Sequence, residues 1–314
     1  MRQVRLIIFL LLISCVSNHS VLTAQDDTSA KSKYRYYLSV AAIFRDDARF
    51  LKEWIEFHRL VGVEHFYLYN NLSSDNYKEV LEPYIQSGIV ELIEWPYESY
   101  NIKKWSSVQN HSYTDAVNRS RKATMWLAII DTDEFLFPVE QEDLRVVLKG
   151  FEQFGGVGVN WQMFGTSNVP RIPDDGLMIE NLLLMAPEDY SDHTYVKSIV
   201  RPVKVDRVPN PHYASYYSKW FSVNENKEKI GGRWSPYTSV NKLRINHYWS
   251  RDEEFFNQVK LARESKFSRD LQFCITKNEE INQVYDDVIL RFAPALQERM
   301  FQLTSVENAV GDLR

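Results

Sequence analysis

The chain has 314 residues, and 44% of them are apolar or aromatic, so it is long enough to bury one large core or two small ones. Its formal net charge is −5 and its lysines and arginines form no block, which argues against nucleic acid as a partner. The only cysteines are Cys15 and Cys274, too few for a zinc–thiolate site.

The first 24 residues have the pattern of a targeting segment. Arg2 and Arg5 precede an apolar run at 6–13, which is shorter than the roughly 17–25 residues that a membrane-spanning helix needs. Small residues at 23–24 suit signal-peptide cleavage, and Cys15 suits lipoprotein processing. We therefore expect a signal peptide, a lipoprotein leader or a short anchor, and a protein of the secretory pathway that is exported or membrane-associated.

Beyond this segment the composition predicts one folded domain. Residues 25–33 are small and polar and are expected to be a linker. Residues 34–303 are expected to form a single domain, followed by a tail at 304–314.

Strands and helices alternate through the first half of this domain. Apolar runs predict strands at 37–44, 65–69, 89–95 and 125–130. Helices are predicted between them, the first from Asp46-Asp47 to a stop at Gly62, the second at 76–87 with a kink at Pro83, and the third at 108–122. This order is typical of an α/β domain with a mostly parallel central sheet.

Three of the predicted strands end in polar clusters. These clusters are 45–47, 70–75 and 131–134. In parallel sheets ligands bind outside the carboxyl ends of the strands, so we expect the three clusters to share one rim.

The second half is less regular. Strands are predicted at 157–161, 195–205 and 243–249, and helices at 252–263 and 281–303. Residues 206–240 are rich in Pro, Gly, Tyr and Asn and are predicted to be loops over the site.

The sharpest chemical feature is Asp131-Thr132-Asp133. Two carboxylates two residues apart can engage one hard cation, which keeps open positions for phosphate oxygens. Both acids lie between apolar runs, where an uncompensated charge is costly. The spacing is common by chance, and an acidic turn or a helix cap explains it equally well.

Other polar residues are candidates for the same rim. His247 could give an imidazole nitrogen to the metal, although a lone histidine is more often hydrogen-bonded within a core. Lys197 and Arg201 could neutralise a diphosphate or form a solvated strand edge. Donor contacts are predicted for Arg45, Asp46, Asn70 and Asp75, and acceptor contacts for Trp161 and Asp192.

An ordered set of motifs resembles the family 92 glycosyltransferases and their family-2-like relatives. The set covers about residues 36–265, and its members are 51–58, 62–71, 74–75, 126–128, 131–136, 161 with 164–167, 197 with 201–202, 212, 246–249 and 260. Relatives often have Asn-Glu after the first strand, where this chain has Asp46-Asp47.

The resemblance implies a GT-A fold, a single Rossmann-like α/β domain that uses Mn²⁺ or Mg²⁺ and a nucleotide-sugar donor. It implies that Asp131 lies near the ribose and the metal, that Asp133 binds the metal and that His247 is a further ligand. The expected activity is transfer of a hexose, galactose in some relatives, from a UDP-linked donor to a glycan with inversion. The rival interpretations are an inactive GT-A-like glycan- or nucleotide-binding protein and a metal-dependent phosphohydrolase.

Overall fold

The computed structural model of the chain describes residues 33–267 and 270–311, with side chains as far as residue 303. The predicted leader and all of the predicted linker except residue 33 lie outside this range. The described residues from Tyr34 onward belong to one compact unit. Among the described helices, none combines the length and the apolar character that a membrane crossing requires.

The strands alternate with helices in the first half, whereas most later strands follow one another with only short turns between them. The strands are β1 Tyr36–Phe44, β2 His65–Asn70, β3 Val90–Glu94, β4 Thr124–Ile129, β5 Glu134–Pro138, β6 Gly156–Met163, β7 Leu184–Met185, β8 Val196–Val200, β9 Val205–Asn210, β10 Tyr213–Tyr216, β11 Ser222–Val223, β12 Lys229–Ile230, β13 Leu243–His247 and β14 Val284–Tyr285. The helices are α1 Ala48–Leu60, α2 Tyr77–Gln86, α3 Ile102–Ser120, α4 Leu144–Leu148, α5 Met178–Asn181, α6 Glu253–Phe255, α7 Leu261–Lys266, α8 Leu271–Glu280 and α9 Ala293–Gly311. A five-residue π-helix, Phe256–Lys260, joins α6 to α7.

The central sheet is mixed and mostly parallel. Its strand order is β12-β11-β6-β8-β4-β1-β2-β3, and β13 pairs with both β6 and β5. Strands β4, β1, β2 and β3 run parallel, whereas β8 runs antiparallel between β4 and β6. The α/β class with a mostly parallel central sheet, which the GT-A resemblance implied, is confirmed.

Helix α1 fixes the strand that follows the acidic motif. The Trp54 indole N–H donates to the Glu134 carbonyl at 2.8 Å. His58 Nε2 accepts from the Leu136 amide at 3.1 Å, and its Nδ1–H donates to the Trp54 carbonyl at 2.8 Å. As predicted, α1 stops before Gly62, whose φ of +102° lies in the left-handed region that favours glycine.

The second half departs from the sequence prediction. Strand β5 was not predicted, and the strand expected at 195–205 ends at Val200 because Pro202 begins a 3-10 turn. The expected loops at 206–240 contain β9 to β12.

The expected helix at 281–303 is wrong. Residues 281–292 contain β14 and a 3-10 turn, and α9 begins only at Ala293, with Pro294 in its first turn, where a missing amide is tolerated. Helix α9 then continues to Gly311, through most of the stretch expected to be a tail.

Candidate active site

The carboxyl ends of β1, β2 and β4 meet at one rim of the central sheet, and the turns that follow them are bonded to one another. The Ser74 amide donates to the Asp46 carboxylate at 2.7 Å, and the Asp46 amide donates to the Ser73 hydroxyl at 2.9 Å. The Thr132 hydroxyl donates to the Asp47 carboxylate at 2.7 Å. The three polar clusters therefore share a rim, as the strand pattern predicted.

Asp131 is held by three side chains of the protein. Lys197 Nζ donates to Oδ2 at 2.9 Å, while the Tyr113 hydroxyl and the Gln109 amide donate to Oδ1 at 2.7 and 3.0 Å. Lys197 is only 1% exposed and comes from β8. Burial, the largest single effect, raises the pKa of the Asp131 carboxyl, but the charge of Lys197 and the hydrogen bonds from Tyr113 and Lys197 together outweigh burial, and the net pKa is lowered. Lys197 therefore keeps Asp131 ionised.

Asp133, Glu134 and His247 form the group that is best placed to hold a metal ion. Each offers one ligand atom, and these atoms lie within 4.8 Å of one another. The antiparallel pairing of β13 with β5 sets His247 opposite Glu134. His247 Nε2 lies 3.5 Å from Asp133 Oδ2, and the Tyr248 amide donates to the Asp133 carbonyl at 2.8 Å.

The chemistry of this group fits Mn²⁺ or Mg²⁺. Two carboxylates and an imidazole are donors that suit such ions, Mn²⁺ in particular. Burial lowers the pKa of His247, which favours the neutral ring that a metal requires. Glu134 Oε1 is buried, accepts no hydrogen bond from the described residues and lies 3.6 Å from Lys197 Nζ. A buried polar atom without a hydrogen bond is costly, and an ion bound there would relieve that cost.

A cleft of about 230 Å³ opens beside the metal-binding group. Its acidic lining residues are Asp47, Asp131, Asp133 and Glu264. Its basic lining residues are Arg45, Arg251, Lys260, Arg263 and Lys266, and its apolar and aromatic lining includes Ile43, Phe44, Trp105, Phe255 and Phe267. The cleft thus offers positive charge and an apolar wall next to the candidate metal group.

The structure brings together only part of the predicted site. Asp133 and His247 are neighbours, as expected. Asp131 does not belong to the group within 4.8 Å, and both of its oxygens accept hydrogen bonds from protein side chains. Arg45 lines the cleft, and its contact with the donor stays a prediction. Trp161 lies beside His247, with ring centroids 4.4 Å apart.

Four other predicted residues lie elsewhere or have structural partners. Asn70 is 3% exposed and donates to Tyr77 and Glu94, so its neighbour Asn71 lines the cleft instead. Asp46 and Asp75 line a separate hollow, where Asp75 accepts from the Ala48 amide at the start of α1. Asp192 accepts from Lys277 Nζ at 2.6 Å.

Arg201 is separated from Lys197 by the direction of β8. Because β8 is antiparallel to β4, Lys197 lies near the carboxyl end of β4, whereas Arg201 lies toward its amino end. There its guanidinium donates to the Glu152 carbonyl and lies over Trp126. The expectation that Arg201 shares a diphosphate site with Lys197 is therefore not met by this geometry.

The sequence assigned no site role to Glu134 or Arg251, and it favoured an ordinary polar helix face for Lys260 and Arg263. Glu134 directly follows Asp133, and the alternation of β5 turns it inward opposite His247. Lys260 and Arg263 belong to the predicted amphipathic helix, where they resemble an ordinary polar face. Their spacing could have indicated the site, because Arg251, Lys260 and Arg263 all follow His247 within 16 residues.

Comparison with known proteins gives a family match. The model of "Glycosyltransferase family 92" matches residues 34–231. A family 92 protein of Oryza sativa subsp. japonica is 32% identical over 170 residues, which cover 52% of this chain and 27% of that protein. A protein of Caenorhabditis elegans named β-1,4-galactosyltransferase is 29% identical over 177 residues, which cover 55% of this chain and 41% of that protein. The chain thus spans less than half the length of these relatives.

Solved structures show only a distant likeness. TarS 1–349 of S. aureus, in complex with UDP-GlcNAc, has a TM-score of 0.37 and 11% identity over 65% of this chain and 62% of that chain. Glucosyl-3-phosphoglycerate synthase of Mycobacterium tuberculosis has a TM-score of 0.31 and 11% identity over 54% of this chain and 58% of that chain.

Proposed function

The chain belongs to glycosyltransferase family 92, and we propose that it is a metal-dependent glycosyltransferase that moves a hexose from a nucleotide sugar to a glycan acceptor. The single observation that supports this activity is the grouping of Asp133, Glu134 and His247 within 4.8 Å, next to a cleft with a basic wall. Mn²⁺ or Mg²⁺ is the cofactor that this donor set suits.

The protein's own residues would bind and orient the donor. Lys260 and Arg263 line the cleft and present positive charge to a diphosphate. Asp131 also lines the cleft, and its side chain is 29% exposed. A carboxylate has about four acceptor positions, of which three are used here, so one remains for a ribose hydroxyl. A bound divalent cation would supply charge that stabilises the departing diphosphate.

The reaction that we propose is an inverting displacement. An acceptor hydroxyl oxygen forms a bond to the anomeric carbon while the bond to the diphosphate breaks, and the hydroxyl proton passes to a carboxylate. We propose UDP as the nucleotide, and galactose as a candidate hexose because one relative is named a β-1,4-galactosyltransferase. We further propose that the protein is exported or membrane-associated, on the basis of the leader pattern at residues 1–24.

Turnover of UDP-galactose with and without MnCl₂ tests the proposal. The wild-type chain should release UDP only with the metal, and Asp133→Asn should lower the rate by about 100-fold or more. Asp206→Asn is the matched control, because Asp206 is an exposed carboxylate that does not line the cleft. If wild type and Asp133→Asn bind UDP with the same metal dependence and neither turns over any UDP-hexose, the inactive binding protein is the better interpretation.

A further inference from the structure

A row of aromatic rings runs from the metal-binding group to the protein surface. The His247 and Trp161 ring centroids are 4.4 Å apart, those of Trp161 and Tyr195 are 5.4 Å apart, and those of Tyr195 and Trp234 are 5.6 Å apart. Exposure rises along the row, from 6% at His247 and 8% at Trp161 to 48% at Trp234. The outermost ring is therefore open to a ligand.

The backbone holds Trp234 beside β8. The Val196 amide donates to the Arg233 carbonyl at 3.1 Å, and the Ser235 amide donates to the Thr194 carbonyl at 2.8 Å. An isolated antiparallel bridge pairs Trp234 with Tyr195. A ring that is already fixed loses little conformational entropy when a ligand packs on it.

The row leads away from the donor cleft. None of Trp161, Tyr195 and Trp234 lines that cleft, whereas Asp133, in contact with His247, does. The cleft and the row thus meet at the metal-binding group, where the anomeric carbon of a donor would lie.

The chemistry at the outer end of the row suits a sugar. An indole ring offers a broad apolar face for the C–H face of a pyranose. The Arg233 guanidinium lies 4.4 Å from the centroid of the Trp234 ring and carries donors for hydroxyl groups.

We propose that Trp234, packed against Tyr195 and with the Arg233 guanidinium over its ring, forms an outer acceptor subsite that packs a pyranose ring of the glycan against the exposed part of the indole. The reacting sugar lies nearer His247 and Trp161, and Trp234 holds a ring further along the acceptor. This inference rests on the proposed function, since it assigns the acceptor side of the same site.

The experiment measures capture of the full chain, labelled and in the presence of UDP and MnCl₂, on an array of immobilised glycans. Trp234→Ala is compared with wild type, with the conservative Trp234→Phe and with Tyr217→Ala. Tyr217 is a matched control because it is 46% exposed and also carries an arginine, Arg121, over its ring, but it makes no ring contact with the row. Calorimetry of UDP with MnCl₂ is run on each variant in parallel.

Wild type should be captured by at least one class of glycan, and Trp234→Ala should need about five- to tenfold more protein for the same signal. Trp234→Phe should recover most of the loss, and Tyr217→Ala should behave as wild type. Equal capture of Trp234→Ala and wild type, or no capture of wild type, overturns the subsite. If wild type shows no metal-dependent UDP binding in the calorimetry, the proposed function is contradicted. Glycan capture by the array remains a separate measurement of the role of Trp234.

Discussion

Replacing Arg251 by methionine should destabilise the rim of the sheet, because it leaves the Asp47 carboxylate buried beside one more distant cation. Arg251 donates to Asp47 at 2.8 Å, and Arg263 Nη2 lies 3.5 Å from the same oxygen. Both members of the closer pair are buried, with side-chain exposures of 3% and 5%. The Arg251 guanidinium also lies 4.3 and 4.4 Å from the Phe50 and Phe255 ring centroids, a packing role that methionine can keep.

The magnitude follows from the burial of the pair. Removing one partner of a buried ion pair costs about 3–5 kcal/mol, and the remaining Arg263 places this variant near the lower end, at about 3 kcal/mol. Asp47→Asn combined with Arg251→Met removes both charges and should recover part of that loss. Arg119→Met is the control, since Arg119 is 42% exposed and its ion pairs are worth about 0–1 kcal/mol.

The loss should depend on pH with a definite sign. Burial, the largest single effect, raises the pKa of Asp47, but the charges of Arg251 and Arg263 and the hydrogen bonds from Arg251 and Thr132 together outweigh burial, and the net pKa is lowered. In wild type this contribution to stability is present above the unfolded carboxyl pKa of about 4 and is lost as pH falls. In Arg251→Met the main opposing charge is gone, so burial has a larger influence on the pKa of Asp47. The difference in free energy of unfolding between the variant and wild type should therefore become smaller as pH falls.

Urea unfolding followed by tryptophan fluorescence at pH 7 and pH 4.5 measures this gap. A loss below about 1 kcal/mol at pH 7 would refute the reasoning, because it lies within the range of exposed pairs. A difference in free energy of unfolding that is larger at pH 4.5 than at pH 7 would refute the expected direction of the pH dependence.

Two further predictions concern the core. Burial lowers the pKa of His58 from 6.5 to about 3, so the free energy of unfolding should fall as pH drops below 6.5, by about 2 kcal/mol at pH 5. The unfolding midpoint of His58→Gln should fall less over the same pH range than that of wild type. A Cβ at Gly156 would lie 2.1 Å from the Tyr216 hydroxyl, so Gly156→Ala should cost about 1–3 kcal/mol in thermal or urea unfolding. Gly150→Ala, whose Cβ would meet nothing within 4 Å, should cost much less, and equal costs would contradict the steric argument.

The first half of the fold was predictable because local signals there agree with tertiary structure. The run before Phe44 is buried on both faces, and Gly62 follows the end of α1. Asp47 stands at the N-cap position of α1, but its side chain makes no capping hydrogen bond, and Asp75 accepts from the Ala48 amide instead. The boundaries of α3 were less accurate, since the helix begins at Ile102 behind an Asn101 cap whose side chain accepts from the Lys104 amide. In this region the hydrophobic period and the helix stop at Gly62 were sufficient to find the elements, whereas capping chemistry was not read correctly.

The later elements depend on contacts that no local pattern reveals. Strand β5 was missed because Glu134 extends the acidic motif in sequence, although in the fold it is the inward-facing first residue of a strand. The division of 281–303 into a strand, a turn and a helix depends on pairing of β14 with β7, about 100 residues away. Such long-range pairing overrides local preference.

The candidate site was predictable only in part, as the fold was. Asp133 and His247 were found from motif and order, and the structure brings them together. The roles of Lys197 and Arg201 differ because antiparallel β8 carries one toward Asp131 and the other away from it, and strand direction cannot be read from alternation alone.

The central claim is that Asp133, Glu134 and His247 hold a divalent cation that binds the nucleotide diphosphate. Titration of the protein with Mn²⁺ in the presence of UDP, followed by the electron paramagnetic resonance signal of the free ion, tests it directly. Wild type and Asp206→Asn should remove the free-ion signal, whereas Asp133→Asn and His247→Ala should weaken Mn²⁺ binding by about 100-fold or more, since even outer-sphere partners are worth 10–100-fold. Equal Mn²⁺ affinity in wild type, Asp133→Asn and His247→Ala would contradict the account.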